Sequence, residues 1–136
     1  MPAGYSGRSA ADKLGIKPGF RVTVLDAPGD YHRLVDGLPE SWQPRLLDGP
    51  ADLVHLFVTR QADLQRRIGE IRSLIAPDGV LWVSWPKRAS KLPTDLTEDG
   101  IRRIALEHRL VDVKVCAVNE VWSALKLVVP VADRRP

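Results

Sequence analysis

Three short apolar runs constrain the fold of this chain most: "RVTVL" (Arg21 to Leu25), "LVHLFV" (Leu53 to Val58) and "VLWVSW" (Val80 to Trp85). Each is nearly continuous and rich in β-branched and aromatic residues, the pattern of strands covered on both faces in a parallel sheet. Between the second and third runs, Leu64, Ile68, Ile71 and Ile75 recur at helical spacing over Ala62 to Ile75, while Arg66, Arg67 and Arg72 fall elsewhere on the wheel. This reads as a right-handed crossover helix, ended by Pro77 and Gly79 in "APDG". Asp95 and Glu98 stand at capping-box spacing and predict a further helix over about Leu96 to His108, with Leu96, Ile101, Ile104 and Ala105 on one side. Shorter helices are expected at Ser9 to Leu14 and around Tyr31 to Leu38, and a brief strand at Arg45 to Leu47.

The last third changes pattern. In "LVDVKVCAV" (Leu110 to Val118), Val111, Val113 and Val115 alternate with Asp112, Lys114 and Cys116, which gives an edge-like strand with one apolar and one mixed face. "WSALKLVV" (Trp122 to Val129) follows closely enough for an antiparallel hairpin. Keeping faces together favours a register with Cys116 opposite Trp122, Lys114 opposite Ala124, Asp112 opposite Lys126 and Val113 opposite Leu125. It is preferred over a two-residue loop at Asn119 and Glu120, which would set Lys126 opposite Val113. The expected fold class is therefore α/β: a small three-layer Rossmann-like sheet, its parallel strands ending in an antiparallel C-terminal hairpin.

A chain of 136 residues suits one domain with an adequate core, residues 1–8 and 131–136 being peripheral. The single cysteine, Cys116, allows no internal disulfide, and "MPAGYSGRSAADKLG" has no apolar leader, so a cytoplasmic location is expected. No apolar run approaches the ~18 residues that span a bilayer, so no membrane association is expected. The formal net charge of +3 is too small to argue for nucleic acid.

A parallel α/β sheet ending in an antiparallel hairpin is the layout of class I S-adenosylmethionine-dependent methyltransferases. "GIKPGFRVTVLDAPGD" resembles their first strand and cofactor turn, and "LIAPDGVLWVSW" resembles the segment that carries Pro-Gly-Gly before a later strand. In that family the first strand ends in an acid followed by alternating glycines, which let the backbone approach the cofactor. Asp26 matches the acid. Ala27, Pro28, Gly29 and Asp30 follow, so one alternating glycine is replaced by a residue without an N–H and the other by a carboxylate. A complete methyltransferase also fits more strands and helices between the first two runs, including the acid that holds the cofactor ribose. Asp48 is the nominal counterpart here, but a turn residue in "DGP" is the preferred reading. Nearly end to end, "GYSGRSAADKLGIKPG", "LFVTR", "LWVSWPKRASK", "TDLTEDGIR" and "LVDVKVCAVNEVWSALKLV" together resemble an uncharacterised bacterial family of small proteins, a domain of unknown function. That resemblance implies a fold and assigns no catalytic residue.

Ligands of open α/β sheets lie at the carboxyl ends of the parallel strands, here "DAPGD", "TRQAD" and "PKRASK". The third is the most suggestive ligand site: Lys87, Arg88 and Lys91 with Ser90 would meet a small anion and Trp85 would stack on a ring, although solvating loop cations and a core tryptophan are the plainer readings. Asp26, at the end of the first strand, is the further ligand candidate. His32, His55 and His108 are scattered, so no metal site is expected. Cys116 beside Lys114 is a conceivable thiolate, with an inert buried thiol as the plainer reading. On the hairpin, Lys114, Cys116, Trp122 and Lys126 share a face that needs cover, for which "GYSG" with Tyr5 is the nearest candidate and a protein partner the other. The expected function is a non-catalytic binding or regulatory module on a degenerate methyltransferase-like scaffold, with no cofactor. The alternative is a small methyltransferase with an unconventional turn, with S-adenosylmethionine as its cofactor.

Overall fold

The computed structural model describes residues 8–40, 42 and 50–134. In chain order the main elements are α1 (Ala10–Leu14), β1 (Val22–Leu25), α2 (Tyr31–Leu34), β2 (Ala51–Phe57), α3 (Gln61–Leu74), β3 (Ile75–Pro86), α4 (Glu98–Glu107), β4 (Val111–Ala117) and β5 (Trp122–Val128). The sheet order is β1-β2-β3-β5-β4. β1, β2 and β3 pair in parallel, and β5 pairs antiparallel with both β3 and β4. This is a small three-layer α/β Rossmann-like fold with an antiparallel C-terminal hairpin. The expected strand at Arg45 to Leu47 lies outside the described residues.

Side chains alternate across the sheet and build two cores. On one face Val54, Leu56, Leu81, Val83, Leu125 and Leu127 meet Leu64, Ile68 and Ile71 of α3 and Ile101 and Ile104 of α4. On the other face Val22, Leu53, Phe57, Trp82 and Trp122 meet Ala11 and Leu14 of α1, Ile16, and Tyr31 of α2. The indole of Trp82, with no exposed surface, donates to the Leu14 carbonyl at 2.8 Å and ties α1 to the sheet.

The "APDG" break falls within β3. Pairing jumps from Ala51↔Ile75 to Leu53↔Val80, and a Cβ at Gly79 would stand only 2.8 Å from the Ala51 carbonyl, so glycine is needed there. The α4 cap also differs from the expected one. Thr97, rather than Asp95, accepts from the Gly100 N–H, and α4 starts at Glu98. Asp95 instead accepts from the Gln61 N–H at 2.8 Å and caps α3.

The hairpin register is two residues away from the expected one. Cys116 faces Ala124, Ala117 faces Ser123, Val115 faces Leu125 and Lys114 faces Lys126. The turn decides this: Val118 N–H donates to the Trp122 carbonyl, and the Asn119 side chain accepts from Val121 and Trp122 N–H at 2.8 Å each, so Asn119, Glu120 and Val121 form the loop. A two-residue slide preserves faces, so Cys116, Trp122 and Ala124 still pack on the α1 side. Asp112 does not follow them. A register shift between Asp112 and Lys114 sets it opposite Leu127, on the α4 side, where it accepts from Arg102 Nε at 2.8 Å. The expected apolar face of β4 is thus largely uncovered: Val113 is 52% and Val115 48% exposed.

Candidate functional site

α2 and α3 leave consecutive strands of the sheet and pack on opposite faces, Tyr31 in one core and Leu64 and Ile68 in the other. Divergence of this kind opens a crevice at the carboxyl ends of the strands. A cleft of about 640 Å³ lies there. Its floor is Phe57, Val58 and Trp122, and its walls include Pro28, Leu92 and Pro93. The rim carries Asp26, Thr59, Arg60, Asp63, Arg66 and Arg67. Thr94 donates to the Thr59 carbonyl at 2.6 Å, and Gln61 Nε2 donates to the Asp95 carbonyl at 2.9 Å, so the wall at 92–95 is stapled to the end of β2 and the start of α3.

Most rim charges are already paired. Asp26 holds Arg67 at 3.0 Å, and Asp63 holds Arg66 at 3.0 Å one helical turn along α3. Asp26 sits at φ +59, the left-handed region that Asp tolerates better than most residues, which turns the chain sharply out of β1. Asp30 accepts from the His32 N–H and serves as the N-cap of α2.

Of the expected ligand residues, only Asp26 lines this cleft. The ring of Trp85 is 8% exposed and packs in the aliphatic core on the α3 and α4 side. Lys87 N–H donates to the Val121 carbonyl at 2.7 Å and ties the loop to the hairpin. The Ser90 hydroxyl is occupied within its own turn, donating to the Lys87 carbonyl and accepting from Leu92 N–H. Arg88, on a 3-10 turn, and Lys91, which ends it, are exposed, and neither side chain lines the cleft. The signal for the cleft was present in "TRQAD", the second strand end.

On the hairpin, Lys114 faces Lys126, while Trp122 is buried against Phe57 with their rings edge to face at 5.3 Å. Residues 1–7, the expected cover for Trp122, lie outside the described residues. Burial pushes the Cys116 thiol up, against the opposing pull of Lys114 and Lys13, which keeps it a thiol rather than a nucleophilic thiolate.

A polar relay that sequence reasoning missed crosses the core behind the cleft. The Tyr31 hydroxyl lies 2.6 Å from His55 Nδ1, and His55 Nε2 lies 2.7 Å from Ser84 Oγ. Neutral imidazole donates through one nitrogen and accepts through the other, so a single direction of donation satisfies all three groups. Desolvation pulls His55 down to about 3 and pushes the Tyr31 phenol well above its ordinary range. His55 and Ser84 have no exposed surface, so the relay fastens α2 to the sheet and offers no open nucleophile. Its sequence trace is one polar residue inside each of two buried strands. Among the described residues, no group of three or more His, Cys, Asp or Glu side chains is placed to hold a metal ion, and no helix is long and apolar enough to cross a membrane.

The chain matches no family model and no curated protein. Among solved structures it is similar to magnesium protoporphyrin IX methyltransferase from Synechocystis PCC 6803 with bound SAM, at 18% identity and TM-score 0.47, covering 61% of this chain and 41% of that one. The same enzyme with bound SAH gives 17%, 0.49, 61% and 46%. A 30S ribosomal A1408 methyltransferase from an uncultured bacterium gives 11% identity and TM-score 0.42, covering 67% and 57%. The chain thus spans roughly half the length of these structures. At such scores the likenesses add no weight to the fold, which stands on the strand order itself.

Proposed function

We propose that this protein is a non-catalytic binding module that takes a small molecule in the crevice at the ends of β1 and β2. The observation that carries the reading is the cleft itself, an apolar floor under a charged rim at the point where α2 and α3 diverge. The turn after β1 does not fit the cofactor of the methyltransferase-like layout. Pro28 supplies no N–H, the Asp30 carboxylate caps α2 where backbone would have to come close, and Asp26 is engaged by Arg67. Among the described residues, the two carboxylates on the rim are ion-paired with Arg67 and Arg66, and the buried histidine is held neutral between two hydroxyls behind the cleft. On the sequence resemblance alone we also propose membership of the bacterial family of small proteins, for which no family model match speaks.

Thermal melting against nucleotides, dinucleotides, S-adenosyl compounds and small aromatic acids tests the proposal. A ligand at 100 times its dissociation constant adds about 2.7 kcal/mol of stability. The expected result is stabilisation by one class, with amide shifts around Thr59, Arg60 and Arg66. Shifts confined to Arg88 to Lys91 would place binding on the loop instead, and turnover of an S-adenosyl compound would replace the binding module with the methyltransferase reading.

A further inference from the structure

We infer that the crevice selects a molecule with one negative charge on a flat apolar body, of the aromatic carboxylate class. This deepens the binding-module reading and rests on it. The floor and walls are apolar over Phe57, Val58, Trp122, Pro28, Leu92 and Pro93. Phe57 and Trp122, meeting edge to face and only 3% and 6% exposed, close the bottom of the crevice, while the exposed Pro28, Leu92 and Pro93 supply the apolar surface against which a bound ring would lie.

The charge selection follows from pairing on the rim. Arg67 is taken by Asp26 and Arg66 by Asp63. The start of α3 is no open anion site either, because Asp95 already accepts from Gln61 N–H there. Arg60 remains. It immediately precedes α3, its side chain is exposed and lines the cleft, and its guanidinium has no ion pair or hydrogen bond among the described residues. One unpaired planar cation beside an apolar floor complements one carboxylate, bound through two parallel N–H donors. Asp63 and Asp26 offset the charges of Arg66 and Arg67, so the rim carries one net positive charge, which matches a single carboxylate better than a polyphosphate.

The test uses 2-naphthoate and its uncharged counterpart 2-naphthamide, titrated into the full chain and followed by amide shifts and the Trp122 indole signal. Naphthoate is expected to shift Thr59, Arg60 and the indole, and to bind about two- to fivefold more tightly than naphthamide at low salt. Arg60→Ala should abolish that difference and Arg60→Lys restore part of it. Arg60 is exposed and unpaired, so folding should survive both changes. Equal binding of the two probes in the crevice would overturn the charge selection while leaving the binding-module reading intact. No naphthoate binding, or a loss on Arg88→Ala rather than Arg60→Ala, would overturn the inference. Only silence of the crevice toward every compound in the wider panel would remove the binding module as well.

Discussion

The two faces of the sheet are built on different principles. Toward α3 and α4 the core is almost wholly aliphatic, with Trp85 at its end. Toward α1 and α2 it is aromatic and threaded by specific hydrogen bonds: Tyr31 to His55, His55 to Ser84, and Trp82 to the Leu14 carbonyl. The aliphatic face is held by area and packing, which are indifferent to pH. The aromatic face adds groups whose protonation must stay fixed. It also reaches the cleft, because His55 stacks on Phe57 at 4.3 Å and Phe57 meets Trp122 on the cleft floor.

Substitutions can break this contrast. Ile68→Ala, in the aliphatic core, should cost about 2–5 kcal/mol in denaturant unfolding, with the same penalty at pH 5.5 and pH 7.5. Ser84→Ala leaves His55 Nε2 without its partner and should cost about 1–3 kcal/mol. The triple change Tyr31→Phe, His55→Leu and Ser84→Ala should recover most of that loss, since it removes every polar member together. If the triple variant is no more stable than Ser84→Ala, hydrogen bonding is not what distinguishes the face.

Acid sharpens the same comparison. An unfolded histidine takes up its proton near 6.5, whereas folded His55 resists to about 3, so the unfolded state binds more protons throughout that window. The contribution of His55 is therefore complete above pH 6.5 and is lost as pH falls, by about 1 kcal/mol between pH 6.5 and 5.5. Subtracting the pH profile of His55→Leu from that of the wild type should isolate this slope. Asp26→Asn should have the smallest effect, about 0.2–1 kcal/mol, because its pair with Arg67 is half exposed; raising the salt concentration should shrink it further.

Periodicity made the aliphatic face readable. "LVHLFV", "VLWVSW" and the spacing of Leu64, Ile68 and Ile71 state their burial locally, and the layered fold follows from them. What depended on contacts distant in sequence was not readable. Asp95 caps a helix 34 residues away, and Tyr31 finds its histidine across 24 residues. The hairpin register turned on whether the Asn119 side chain would close a three-residue loop. The cleft was legible only as one of three strand ends. The run of cations in "PKRASK" outweighed "TRQAD" in the sequence, but charge density in a loop says nothing about concavity.

Isothermal calorimetry of the wild-type protein with S-adenosylmethionine separates a crevice that binds other small molecules from a working methyltransferase cofactor cradle. No measurable binding is expected into the millimolar range, since Pro28 and Asp30 follow β1 where glycines would let backbone approach the cofactor and Asp26 is engaged by Arg67. Micromolar binding that disappears in Asp26→Ala would contradict that expectation.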